Sequence, residues 1–248
     1  MRLPILAAAF ALIAAATLGD TRAQTAEPAQ AERPVVIELY TSQGCSACPR
    51  ANRLIAQFSH DPSVLALTFP VGYWDYLGWE DTFAQPQFTS RQRAYERSLQ
   101  FHGAFTPQLI IGGVRQSGAA DWDEARAMLD DVKRLPTREG APRVTIVRGD
   151  NGRIRVNITG EAQRATPADI WFFTYDPGPL VVWVTRGDNA NRTVLHYNLV
   201  RTMARIGQWN GTSIWFERQR CQPQCAIVVQ EANGGAILAA GATRRPPR

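Results

Sequence analysis

Apolar positions follow one rhythm up to about residue 135 and another beyond it. Val35-Val36-Ile37-Glu38-Leu39-Tyr40-Thr41 is a largely apolar run of strand length, rich in β-branched residues, and predicts a buried strand. Ser42-Gln43-Gly44 breaks it. Cys48, Ala51, Leu54, Ile55 and Phe58 then recur at helical spacing between Cys45 and Phe58. Pro49 sits in the first turn, where its missing N–H costs nothing. Asp61-Pro62 ends that helix, and Val64 to Val71 reads as a second buried strand. Strand, helix and strand with short links predict a parallel pair joined by a right-handed crossover.

Residues 73–87 are an aromatic-rich irregular stretch, followed by an expected helix from Phe88 to Phe101 with Phe88, Tyr95 and Leu99 on one side. Thr106 to Val114 reads as a strand entering a Gly112-Gly113 turn, and a short strand to Ser117 completes a hairpin. Asp121 is the expected cap of a helix running to Leu135, with Trp122, Ala125, Met128, Leu129 and Val132 as its apolar face. Pro136 to Pro142 reads as a linker. Past it, Arg143 to Val147 and Arg153 to Thr159 alternate around Gly149-Asp150-Asn151-Gly152, a hairpin pattern. Further strands are expected over 170–175, 180–185, 212–218 and 226–231, interrupted by one helix from Tyr197 to Ile206 with Leu199, Val200, Met203 and Ile206 inward. The pattern therefore predicts an α/β domain over 35–135 and a β-rich, sandwich-like domain over 142–243.

The first residues bear on compartment. Met1-Arg2 is a short positive start, Ile5 to Leu18 is an almost unbroken apolar run, and Thr21-Arg22-Ala23 offers small residues beyond it. Such a run is too short to span a bilayer comfortably, so residues 1–23 are expected to be a cleaved signal peptide and 24–34 a flexible lead-in. A periplasmic or secreted protein without stable membrane insertion follows. The formal net charge is +5. Lys133 is the only lysine, and the arginines are scattered rather than striped, which argues against a nucleic-acid partner.

Four cysteines, Cys45, Cys48, Cys221 and Cys225, suggest two disulfides in an oxidising compartment. Gly44-Cys45-Ser46-Ala47-Cys48-Pro49 lies where a strand turns into a helix. Free N–H groups and the dipole at that helix start favour negative charge, so a Cys45 thiolate is stabilised. Cys45 is the expected attacking nucleophile and Cys48 the thiol that resolves the mixed disulfide. Cys221 and Cys225 on one extended strand would stand roughly 13 Å apart, at ~3.3 Å per residue. A disulfide allows at most about 7 Å between Cα atoms. Pro223 must then mark a turn, with the pair across the mouth of a hairpin as a structural staple rather than a second redox centre. A loop so short contributes only about 2 kcal/mol of chain entropy.

In this context the chain resembles the thioredoxin superfamily: β1 ending at Cys-x-x-Cys, a helix, β2, an inserted helix, a proline-initiated hairpin and a last helix. In that superfamily the matching proline is cis and lies against the cysteines, and the residue before it presents its backbone to an extended substrate. The resemblance therefore implies a cis Pro107 and a substrate-binding Thr106. ELYTSQGCSACPRAN, FPVGYWDYLGWEDTFAQPQFTSRQRAY, TPQLIIGG and HYNLVR also resemble a family of exported bacterial thioredoxin-like proteins, the domain of unknown function twelve-twenty-three. The resemblance covers nearly the whole chain past the signal and is specific for fold, not for substrate.

Two features carry open alternatives. Glu38 is either a solvent-facing residue or a buried proton acceptor for the cysteine pair. Tyr73 to Trp79 either walls a substrate groove or plugs the core over the sheet. His60, His102 and His196 have no ligand spacing and are expected to be surface or satisfied core residues, so neither a metal nor another cofactor is called for. The leading expectation is a thiol–disulfide oxidoreductase acting on protein or small thiols. The alternatives are a Cu(I) metallochaperone holding its cargo between Cys45 and Cys48, against which the scarcity of methionine counts, and a redox-inert binding module.

Overall fold

The computed structural model describes residues 33–119, 121–149, 153–163, 166–218 and 221–243. The signal peptide expected over 1–23 and all but the end of the lead-in lie outside the described residues, as do Asp150, Asn151 and Gly152 of the expected turn.

The first half follows the apolar pattern closely. β1 (Val35–Thr41), α1 (Cys48–Phe58) and β2 (Val64–Pro70) form the expected parallel unit, with Val35 opposite Val64 and Thr41 opposite Pro70. A 3-10 turn (Asp75–Leu77) precedes α2, which runs Pro86–Ser98 and so starts and ends earlier than its apolar residues imply. Pro86 stands in its first turn, where a proline is tolerated and Phe88 need not be the start. β3 (Gln108–Ile111) pairs antiparallel with β1 and with β4 (Arg115–Ser117). Gly112 and Gly113 between them take φ of +61° and +70°, a conformation that side chains resist. α3 (Trp122–Arg134) is capped by Asp121, whose carboxylate accepts from the N–H groups of Asp123 and Glu124 at 2.8 and 3.2 Å.

The second half is nearly all strand: β5 (Arg143–Arg148), β6 (Ile154–Thr159), β7 (Ala168–Asp176), β8 (Leu180–Val184), β9 (Arg192–His196), β10 (Leu199–Trp209), β11 (Ile214–Arg218), β12 (Gln224–Gln230) and β13 (Ile237–Ala242). The helix expected over 197–206 is therefore a strand. Two irregularities in its pairing with β7, between Val200 and Thr202 and between Arg205 and Gly207, shift the inward phase. Val200 and Met203 thus reach one core, and Ile206 and Trp209 another, at spacings of three that imitate a helix.

The two halves are joined in one sheet. Its eight strands run β13-β12-β7-β10-β2-β1-β3-β4, and β10 pairs parallel with β2 where Leu199 stands opposite Thr68. The described residues, between 33 and 243, form one compact unit where the sequence pattern predicts two. β11-β6-β5 and β8-β9 make two smaller sheets. α1 and α3 cover one face of the large sheet through Ile37, Leu39, Ala66 and Ile111. α2 covers the other, where Phe69 meets the rings of Tyr40, Phe88 and Phe173 at 5.4, 5.4 and 5.7 Å. Every residue of β2 is buried, as a central strand covered on both faces requires. The three-stranded sheet packs Val144, Val156 and Ile158 against Ile170, Ile227 and Val229 of the large one, a sandwich-like third core. The protein is a mixed α/β fold with a large central sheet and a β-rich C-terminal part.

Candidate active site around Cys45 and Cys48

Cys45 and Cys48 stand in the turn between β1 and α1 and are joined as a disulfide, their Cα atoms 5.4 Å apart. Cys48 is fully buried, while Cys45 keeps 6% of its surface exposed beside the exposed Ser46 and Ala47. α1 begins at Cys48, not at Cys45, with Ala47 as a cap that makes no side-chain bond and no acidic residue in the first turn. The amide of Cys48 donates to the Cys45 carbonyl at 3.1 Å, and that of Cys45 to Ser42 at 3.2 Å. The turn from Ser42 to Cys48 thus leads into the N-terminus of α1, with Cys45 just ahead of the helix.

Side chains from two distant segments fix this turn, and a third contact ties α1 to β9. Asp81 accepts from the Gln43 amide at 2.7 Å and from the Phe83 amide at 2.9 Å. Burial pushes its carboxyl up to about 6, against the pull of those N–H groups. Trp79 donates to the Gln43 side-chain oxygen at 2.9 Å, and the Gln43 amide group donates to Thr82 at 3.1 Å. From between β8 and β9, the Nδ2 of Asn189 donates to the carbonyls of Gln43 and Cys45 at 2.9 and 2.8 Å. One turn into α1, Asn52 accepts from Thr41 at 2.8 Å and donates to the Leu195 carbonyl of β9 at 2.8 Å.

The Thr106–Pro107 peptide is cis. Trp74 connects this segment to the cysteine turn. Its Nε1 donates to Thr106 Oγ1 at 2.6 Å, and its Cβ lies 3.5 Å from where a side chain on Gly44 would start. Tyr76, 76% exposed, stacks on Trp74 at 6.1 Å. Of the two readings of the aromatic stretch, Trp74 and Trp79 thus border the cysteine turn rather than only plugging the core.

Glu38 has neither expected role. It is fully buried, and the alternation of β1 puts it with Val36 and Tyr40 on the α2 face, whereas α1 and its cysteine lie on the face of Ile37 and Leu39. There Arg91 grips it with Nη2 at 2.6 Å and Nε at 3.0 Å, and the hydroxyls of Tyr40 and Tyr95 donate at 2.8 and 3.1 Å. Gln230 bonds both Arg91 and Tyr95 at 2.9 Å. Burial by itself would lower the Arg91 value, but the Glu38 charge holds it above the ordinary range.

Cys221 and Cys225 are joined to each other with Cα atoms 5.5 Å apart. They do not span a hairpin mouth. β11 pairs with β6 and β12 with β7, so the pair staples the crossing between two sheets. Arg148 covers it, donating to the Cys221 carbonyl at 3.2 Å and to the Pro223 carbonyl at 3.3 Å. His196 is buried, and neither ring nitrogen has a hydrogen-bond partner among the described residues, which departs from the expectation of a surface or satisfied residue. Burial, then the charge of Arg201, pushes its pKa down to about 4. Among the described residues no group of three or more His, Cys, Asp and Glu is arranged to hold a metal ion, and no helix is long and apolar enough to cross a membrane.

Asp81, Asn189 and Asn52 were not legible as site residues. Asp81 and Asn189 stand in polar loop stretches whose composition signals turns and nothing more.

No curated protein matches the chain. The X-ray structure of an Agrobacterium tumefaciens protein, solved as a structural genomics target, matches 89% of this chain and 100% of its own at 26% identity and a TM-score of 0.74. An endonuclease/exonuclease/phosphatase structure from Beutenbergia cavernae matches 40% of this chain and 22% of its own at 15% identity, with a TM-score of 0.20 too low to carry an argument. A family described as protein of unknown function (DUF1223) matches residues 36–232, and the chain belongs to that family.

Proposed function

We propose that the protein is a thiol–disulfide oxidoreductase with a thioredoxin-like core, working on protein thiols or disulfides in the periplasm or outside the cell. The observation that carries this reading is the pair itself. Cys45 keeps 6% of its surface exposed, Cys48 is fully buried as the first residue of α1, and the two are close enough to be joined at the start of that helix.

In the reducing direction, the Cys45 thiolate attacks one sulfur of a substrate disulfide. The substrate S–S bond breaks, one substrate sulfur leaves as thiolate and takes a proton from water, and the other is held on Cys45 as a mixed disulfide. Deprotonated Cys48 then attacks Cys45 Sγ, the mixed disulfide breaks, and the second substrate sulfur leaves. Two electrons pass from the Cys45–Cys48 dithiol to the substrate. Oxidation of a substrate dithiol runs the same steps backwards. Thr106, ahead of the cis Pro107, and the Trp74–Tyr76 stack beside it are where an extended substrate segment would lie.

Replacing Cys48 with Ser removes the resolving thiol, so the variant is expected to accumulate mixed disulfides through Cys45, released by dithiothreitol on a non-reducing gel. Replacing Cys45 should abolish them. A Cys48→Ser protein that captures no thiol partner removes the basis of the reading. Tight Cu(I) binding by the reduced wild-type pair would then favour a metallochaperone.

A further inference from the structure

Asn189 holds the cysteine turn from 144 residues further along the chain. It is fully buried, and its single NH2 group supplies the bonds to both the Gln43 and the Cys45 carbonyl. The Cys45 carbonyl also accepts from the Cys48 amide, so both of its lone pairs are filled. Gln43 is held at its N–H by Asp81 and at its C=O by Asn189. The Oδ1 of Asn189 is buried without a hydrogen-bond partner among the described residues. An unpaired buried acceptor is costly, so this residue is explained by its donors and not by the space it fills.

Those donors act on backbone atoms, which persist whether or not the sulfurs are bonded. They hold Cys45 at a Cα separation of 5.4 Å from Cys48, within the range a disulfide needs. A reduced turn so held has little freedom to lose when the bond closes. We propose that Asn189 is a positioning residue of the Cys45–Cys48 couple, one that keeps the turn at disulfide spacing and so favours the oxidised pair. This rests on the oxidoreductase reading above. In exchange with glutathione, two glutathione thiols give up two electrons and two protons and become glutathione disulfide, while the Cys45–Cys48 bond becomes two thiols.

The purified wild type, Asn189→Ala and Asn189→Asp are equilibrated with graded ratios of reduced to oxidised glutathione, and the oxidised fraction is counted by alkylation and mass spectrometry. Asp keeps the shape of Asn but has no donor for the carbonyls when ionised. Both variants are expected to show an equilibrium constant for closing the disulfide about tenfold smaller, about 30 mV upward for a two-electron couple. By linkage, the gap in melting temperature between oxidised and reduced protein should narrow in both. A reversible wild-type couple with variants within twofold of it overturns the proposal and leaves the oxidoreductase reading intact. Loss of the fold in both variants also overturns it, because the residue would then be serving the fold. A wild type that does not exchange at all removes the underlying reading, and this proposal with it.

Discussion

Glu38 stands fully buried in the middle of β1, where an unpaired carboxylate would be driven to neutralise. Arg91 makes the charge tolerable, and the rings of Trp171, Phe173, Tyr95 and Phe69 surround the guanidinium at 5.2 to 5.9 Å. Removing one partner of such a pair is far worse than removing both. Arg91→Met is expected to lower unfolding stability by about 3–5 kcal/mol in urea titration. Joining it to Glu38→Leu should recover part of that loss, and a double variant as unstable as the sum of the singles would contradict the network. Sequence reading could not place Glu38, because alternation distinguishes faces only when one of them is wet. Here both faces of the strand are covered. Asn189 and Asp81 were hidden for a related reason: a buried hydrogen bond to a distant carbonyl has no local pattern.

β8 and β9 dock on the cysteine turn and on α1 through Asn189 and through the Leu195 carbonyl, and beside those contacts β9 carries His196, whose ring nitrogens have no hydrogen-bond partner among the described residues. The ring stands edge-on to Phe83 at 5.6 Å, and Arg201, over the same Phe83 at 4.7 Å, is paired with Asp176. Its folded pKa of about 4 lies below the ordinary 6.5. The unfolded chain therefore binds the extra proton first, and the stability this group contributes is present above about 6.5 and lost as pH falls towards 4. Asp81 has the opposite sign. Its carboxyl is raised to about 6 from 3.8, so the folded state is favoured in acid and loses stability as pH rises through that window. Thermal unfolding from pH 7.5 to 4.5 should separate the two. His196→Phe should flatten the acid loss, and Asp81→Asn should steepen it. A His196→Phe protein as acid-sensitive as wild type would contradict this account of β9. At this scale the three helices and β1 to β8, β11 and β12 were legible, since each carries a local apolar pattern. β10 was not, because its bulges reset the phase, and neither was β13, whose Ile-Leu-Ala-Ala-Gly-Ala run has weak strand preference.

The large sheet spans the chain, and the candidate site is built from both of its halves: cysteines, Trp74 and Asp81 from the first, Asn189 and Leu195 from the second. The linker and the change of rhythm near residue 136 suggested two domains because the pairing of β2 with β10 joins residues 68 and 199, and no local signal announces so distant a partner. What the sequence showed well was the placement of a cysteine pair at a strand-to-helix turn, followed by a proline-led strand. The two disulfides also differ in setting: Cys45 touches the surface, while Cys221 and Cys225 are fully buried under Arg148. The measurement that tests the central claim most directly is a glutathione titration of the wild type, with each cysteine followed by alkylation and peptide mass spectrometry. The Cys45–Cys48 pair is expected to open and close reversibly at a midpoint between about −120 and −270 mV, the range of catalytic dithiols. Over that range Cys221–Cys225 should stay closed. A Cys45–Cys48 bond that resists reduction until the protein unfolds would contradict the account.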